Sequence, residues 1–313
     1  MLENDLKDFR KLSKILSAVE NRSKGYIDIL KECFVLSGNS KIIGITGPPG
    51  AGKSTLTSSL IGILRSEGAS VAVLAIDPSS SFSGGAILGD RIRMLNHSLD
   101  KKVYIRSAAT RGAMGGLCNA ASDMITVLDA AKFDFILVET VGVGQDEIDV
   151  VKETDLVLLV LVPGLGDDIQ ALKAGIMEIA DIFVVNKADR EGSEKVVNEI
   201  EYILSLNQNR NKWHPPVIKT VASKNEGVLN LVEEIKLYFD FLYSTSLWSE
   251  KRKERAALKL RRLLLEGLEN RLKNGPLSLK EGTKLKEAFF RKEKDPYSVA
   301  EEIVESVILE ELQ

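Results

Sequence analysis

The chain has 313 residues, 44% hydrophobic and 28% charged, with a formal net charge of −3. That is enough apolar material for one large or two modest cores, with no basic field for nucleic acid and no acidic tail. Cys33 and Cys118 are the only cysteines. They form no C-x-x-C pair, which fits a reducing compartment and thiols that serve as small buried hydrophobes.

The first stretch, MLENDLKDFRKLSKIL, mixes acids with bases and lacks an uninterrupted apolar core, so it reads as neither a secretory signal nor a transit peptide. Within residues 2 to 35, Leu6, Phe9, Leu12, Ile15, Leu16 and Val19, then Ile27, Ile29 and Leu30, recur at helical spacing, which predicts a helical prelude. From 41 to about 243 short apolar runs alternate with helical patterns. The expected fold class is α/β, a doubly wound, mostly parallel sheet with helical extensions at both ends. Strands are expected at 41–46, 70–76, 102–106, 134–139, 155–162, 180–186 and 216–221. Ligands in such sheets sit at the carboxyl ends of the strands, so the residues just after each strand bear on function first.

After the first strand, Gly47 to Ser54 reads GPPGAGKS, a full G-x-x-x-x-G-K-[ST], which makes the expected α/β fold that of a P-loop NTPase. Gly50 and Gly52 let backbone N–H groups curl around phosphate oxygens, and the helix that begins near Lys53 aims its positive end at them. Pro48 and Pro49 stiffen the approach. Lys53 would reach the β and γ phosphates and Ser54 would hold Mg²⁺. The nucleotide-contacting run expected here is Gly47, Pro48, Pro49, Gly50, Ala51, Gly52, Lys53, Ser54 and Thr55.

After the second strand, Asp77 and, past a Gly-rich loop, Asp90 place two carboxylates around one segment; each could contact Mg²⁺ or its waters, and each could equally cap a helix. After the fourth strand, Glu139 stands where a P-loop protein carries its metal-site acid, and the Gly142 N–H could meet a γ-phosphate. Val143 occupies the position after that glycine and Gln145 comes two residues later. With no glutamine in the water-orienting place, hydrolysis should be slow unless something completes the site. The fifth strand ends at Pro163 to Gly166, followed by Asp167, Asp168, Gln170 and Lys173.

Asn186-Lys187-Ala188-Asp189 at the sixth strand's end fits a guanine reader. Asp189 would accept from N1–H and the 2-amino group, Asn186 would contact the O6/N7 edge, and the Lys187 stem would lie against the ring. Adenine would leave that carboxylate unpaired, a mismatch of the kind that discriminates by ~10⁴ or more, so GTP and GDP are expected over ATP. After the seventh strand, Val221, Ala222 and Ser223 supply a base-side loop. Beyond Phe241 the pattern turns helical, with Leu258, Leu265 and Leu272 at seven-residue spacing and Leu264 and Leu268 between; an apolar stripe with no sheet to cover is expected to bury itself on the core domain or on another subunit. His97 and His214 show no metal-ligand spacing. No apolar run approaches membrane-spanning length, so the expectation is a cytoplasmic protein that contacts neither membrane nor nucleic acid.

GITGPPGAGKSTL, AIDPSSSFSGGAILGDRIRM, ILVETVGVGQDE, LVPGLGDDIQALKAG and NKAD, in that order, resemble the methylmalonyl-CoA mutase accessory GTPases, the MeaB/ArgK-like proteins. The resemblance covers nearly the whole chain. It implies a Mg²⁺-dependent GTPase that acts as chaperone and gatekeeper of an adenosylcobalamin-dependent mutase, and a homodimer formed through the C-terminal helices. It implies a phosphate and Mg²⁺ site made of Lys53, Ser54, Asp77, Asp90 and Glu139. It also implies a third switch at 163–175 that answers the partner, with Lys173 as an activating residue. One departure is Val221-Ala222 where the family often has Ser-Ala, which leaves only the backbone contact of Ala222. The expected division is an N-terminal helical extension at 1–38, a GTPase domain at 39–243 and a helical dimerisation region at 244–313. The rival readings are a metal-insertion GTPase of hydrogenase or urease maturation, which needs Cys/His ligands this chain lacks, and a kinase linked to amino-acid transport, which the guanine reader argues against.

Overall fold

The computed structural model describes residues 2–78, 97, 99–110, 116–140, 142, 151–164, 176–206, 213–274, 287 and 289–309. Seven strands form one sheet: β1 (Lys41–Thr46), β2 (Val71–Pro78), β3 (Val103–Thr110), β4 (Phe135–Thr140), β5 (Leu156–Leu161), β6 (Ile182–Asn186) and β7 (Val217–Thr220). Their order across the sheet is β3-β2-β4-β1-β5-β6-β7, and the paired strands all run parallel. All seven strands lie where the apolar runs predict them. β2 and β3 are longer than expected because they pair without a break from Val71↔Val103 to Pro78↔Thr110. Asp77 therefore lies inside β2 rather than after it.

β1 is where the winding reverses: the chain moves to one side of it for β2 and β3, and to the other for β5, β6 and β7. A crevice opens at such a point beyond the strands' carboxyl ends. Strand alternation sorts the core into two faces. Ile43 and Ile45 of β1, Val71 and Val73 of β2, Leu137 of β4 and Leu158 and Val160 of β5 pack on one side. There they meet Leu56, Leu60 and Leu64 of α4 (Lys53–Ser66) and Leu231, Ile235 and Phe239 of α8 (Val228–Ser244).

The opposite face takes Ile42, Leu74 and Val138, covered by Met124 and Leu128 of α5 (Gly116–Ala130). Its cover also includes Leu6 of α1 (Leu2–Lys7), Leu12 and Leu16 of α2 (Phe9–Glu20) and Cys33 of α3 (Tyr26–Leu36). The helical prelude thus helps bury the sheet. α2 begins at an N-cap, Asp8, whose carboxylate accepts from the backbone N–H groups of Arg10 and Lys11. Cys33 is buried, and burial pushes its thiol up to about 11, as befits an inert core residue. On β5 and β6, Leu159, Leu161, Phe183 and Val185 pack with Val196 and Ile200 of α7 (Ser193–Leu206). The short α6 (Ile176–Ile179) completes this side.

The chain divides into two compact units, Met1–Trp248 and Ser249–Gln313. The second contains most of α9 (Leu247–Asn274) and all of α10 (Pro296–Leu309), and α10 starts on an Asp295 cap that accepts from the N–H groups of Tyr297 and Ser298. Leu258, Leu264, Leu265 and Leu268 of α9 are exposed.

Candidate functional site: a phosphate loop, an acid-ended strand and a base-side loop

The loop from Gly47 to Gly52 leaves the end of β1 and enters α4. Gly47 has φ 148°, and a Cβ there would stand 2.1 Å from the Val160 carbonyl of β5; at Gly52, with φ 88°, a Cβ would meet the Asn186 amide nitrogen at 2.5 Å. The loop passes so close over β5 and β6 that no side chain fits at either point. The Ala51 N–H closes a turn onto the Pro48 carbonyl at 3.2 Å. Lys53, only 6% exposed, turns its ammonium back over the loop and donates to the carbonyls of Gly47 (2.7 Å) and Pro48 (3.0 Å). A charged amine is thereby held at the mouth of a helix N-terminus, which already favours anions.

Glu139 is brought beside this helix by strand register. It lies opposite Ile45 across the β1–β4 pairing, and alternation puts it on the same face as Leu137, where α4 packs. Its carboxylate accepts from Ser54 Oγ at 2.6 Å and from Thr57 Oγ1 at 2.8 Å, and is 4% exposed. A buried carboxylate between two hydroxyls is an all-oxygen donor set of the kind hard divalent cations take. Behind it, Thr140 Oγ1 donates to Thr46 Oγ1 (3.1 Å), and Thr46 Oγ1 donates to the Gly142 carbonyl (3.0 Å), which fixes how the chain leaves β4.

The base-side loop is joined to the phosphate loop through Asn186. Its amide donates to the Ala51 carbonyl at 2.8 Å, while its Oδ1 accepts from Thr220 Oγ1 and from the Ala222 N–H, both at 3.1 Å. Asn186 is 2% exposed, so its carboxamide spans the phosphate loop, β7 and the 222–224 turn. Ser59 of α4 adds a second tie by donating to the Ala222 carbonyl at 2.9 Å. Lys187, in a left-handed conformation with φ 55°, donates from Nζ to the Gly50 carbonyl at 2.7 Å and so lies across the loop. Asp189 is exposed and pairs with Lys224 at 3.2 Å. The hydrogen bond and charge of Lys224 hold its carboxyl below the ordinary carboxylate value.

The structure therefore gathers Gly47 to Thr55, Glu139, Gly142, Asn186, Lys187, Asp189 and Val221 to Ser223 at one end of the sheet. Asp77 is the penultimate residue of β2, at the carboxyl end of that strand. Asp90, Gln145 and Lys173 lie outside the described residues. The sequence did not mark Thr57, Thr46, Ser59 or Thr220 as residues of this site. For Thr57 the signal was present, since it stands four residues beyond Lys53 on a helix that Ser54 already aims at the acid. The others depend on which strands become neighbours.

This fold with this loop defines a P-loop nucleotide triphosphatase. Residues 12–276 match the family described as methylmalonyl-CoA mutase-associated GTPase MeaB, and the chain belongs to that family. It is 47% identical over 306 residues to a Pyrococcus horikoshii protein named as a GTPase, covering 96% of this chain and 95% of that one. It is 33% identical over 269 residues to the GTPase ArgK of Escherichia coli, covering 83% and 81%. A crystal structure titled LAO/AO transport system kinase shares the fold, with a TM-score of 0.72 at 24% identity over 97% of this chain and 94% of that one. The chain is a GTPase. No helix among the described residues is long and apolar enough to cross a membrane.

Proposed function

We propose that this protein couples GTP binding and hydrolysis to cofactor loading and protection of an adenosylcobalamin-dependent acyl-CoA mutase. The observation that carries the reading is the family match over residues 12–276, which takes in every nucleotide loop. In this reading Lys53 gives up its two loop carbonyls for the β and γ phosphates, while the N–H groups of the loop and of α4 cradle the remaining oxygens. Glu139 and Ser54 are the described residues that would hold Mg²⁺, whose positive charge would offset charge on the phosphates. Thr57 keeps the Glu139 carboxylate turned toward Ser54. Asp77 and Asp90 complete the acidic set. Asp189 accepts from the guanine N1–H and 2-amino group, the Ala222 N–H would be shared between Asn186 Oδ1 and the base O6, and Lys187 lies along the ring. Asn186 acts mainly as the brace between the two loops, with one amide hydrogen left for the base.

Lys173 enters as the residue that answers the partner, and Gln145 as a catalytic candidate beside the nucleotide. The free enzyme lacks a glutamine directly after Gly142, so its turnover should be slow, near intrinsic Ras-type rates of about 10⁻³ per second. A cobalamin-dependent mutase from the same organism should accelerate it by reordering 163–175. Lys173→Ala should leave GTP binding and basal turnover nearly intact and abolish the stimulation. Steady-state phosphate release with and without the mutase checks this; brisk turnover of the free protein, or undiminished stimulation of the variant, would show the switch reading to be wrong.

The exposed leucines of α9 support a homodimer formed through the C-terminal region, because water-facing leucines spaced along one helix gain most by meeting a second copy. Light scattering should give twice the 34.4 kDa of one chain. Removal of 245–313 should return the monomer mass, and an unchanged mass would exclude this region as the contact.

A further inference from the structure

The edge of the sheet opposite β7 presents a feature that the nucleotide site does not use. β3 is the terminal strand, paired with β2 on one side. Alongside it runs a groove of about 550 Å³, lined by Phe9, Arg10, Ser13 and Lys14 of α2 and by Tyr104, Ile105 and Arg106 of β3. Successive strand residues point to opposite faces. Tyr104 packs with the α2 and α5 side and Ile105 with the α4 side. A surface that all three share follows the strand's edge rather than either face.

The charge of the groove is one-sided. Its described lining holds three cations, of which Arg106 is already paired with Glu20, so Arg10 and Lys14 carry the unmatched charge. Arg106 donates from Nη2 to Ser17 Oγ and Glu20, but its buried Nε has no hydrogen-bond partner among the described residues. Arg10 and Lys14 are exposed, one helical turn apart, and neither side chain has a carboxylate within ion-pair distance among the described residues. Asp8, the nearest acid on α2, is occupied in capping that helix. Phe9, set edge-on to Tyr104 at 5.1 Å, adds an aromatic wall.

We propose that this groove docks an extended, acidic segment of a protein partner, laid along the edge of β3 that pairs with no described strand. A terminal strand offers unpaired backbone groups for strand addition. The cations select for acidic side chains on the incoming strand, and Phe9 and Tyr104 receive its apolar ones.

The test uses the full-length protein and a fluorescein-labelled nonapeptide of alternating Glu and Val, followed by fluorescence anisotropy. Saturable binding is expected, weakened about tenfold or more by the exposed-surface double substitution Arg10→Glu and Lys14→Glu, and by exchanging the peptide's Glu for Lys. N-methylation of alternate peptide nitrogens should weaken it similarly, because strand addition needs those N–H groups. Thermal melting and basal GTP hydrolysis of the double variant should match the parent, since neither residue belongs to the nucleotide site. Equal binding by parent and double variant would overturn the proposal. So would indifference to N-methylation, or full displacement by millimolar inorganic pyrophosphate of a peptide that tolerates N-methylation; the latter would assign the groove to a small anion.

Discussion

Lys53→Ala should reduce GTP hydrolysis by about a thousandfold or more and weaken GTP binding severely. The side chain is the one cation that the phosphate loop itself provides, and groups that stabilise charge on a transferring phosphoryl are worth about 10³ to 10⁵ in rate. Its present hydrogen bonds to the Gly47 and Pro48 carbonyls show that the ammonium needs no large movement to reach anything cradled by the loop. The same bonds predict a stability cost for the empty protein, because two loop carbonyls lose a charged donor; about 1–3 kcal/mol is expected from such a loss. Single-turnover hydrolysis with a melting curve on the same sample separates the two effects. A variant that melts like the parent and still hydrolyses GTP within tenfold of it would remove Lys53 from the phosphate site.

The second large effect concerns the base. Calorimetry with GDP and ADP should show a preference on the order of 10⁴ for GDP, because a carboxylate placed to accept two N–H donors is left unpaired by adenine. Asp189→Ala should reduce that preference to roughly tenfold or less, since the remaining contacts are backbone and ring surface. Equal affinity of the parent for the two nucleotides would end the guanine assignment. Lys224 gives the prediction a pH arm. Asp189 must be ionised to accept both donors, and Lys224 depresses its carboxyl below the ordinary 3.8. Guanine recognition is therefore complete above that value and is lost as pH falls through the depressed one. In Lys224→Ala the carboxyl returns toward its ordinary value, so GDP affinity should begin to fall at a higher pH on acidification. Superimposable pH profiles for parent and variant would show that the pair does not tune the reader.

How much of this was legible in advance follows from the range over which each interaction acts. KIIGITGPPGAGKS is read correctly because everything it specifies is local: a β-branched apolar run, a turn that needs glycines, and a helix start. The strands at 135–140 and 156–161 were legible for a similar reason, since a strand buried on both faces must be apolar throughout. The extension of β2 through Asp77 to Pro78 was not, because polar residues continue that strand only where β3 supplies a pairing partner as far as Thr110. Asn186 illustrates the division within one residue. Its position at the end of β6 marks it as functional, but its bracing bonds to Ala51, Thr220 and Ala222 join residues up to 135 positions apart.

The sequence by itself determined the class of site, the phosphate loop, the N-K-x-D tetrapeptide at a strand end and the alternation of strands and helices, because each is written in residues that are neighbours along the chain. Tertiary structure decided that the Glu139 carboxylate lies 2.6 Å from Ser54, because the β1–β4 register and strand alternation together choose which side chain of β4 faces α4. It also decided that the N-terminal helices cover the sheet, and that Arg10, Lys14 and Arg106 share one groove at its edge. Burial of apolar area is non-directional: an amphipathic pattern says that a helix must be covered, and only the packed chain says by what.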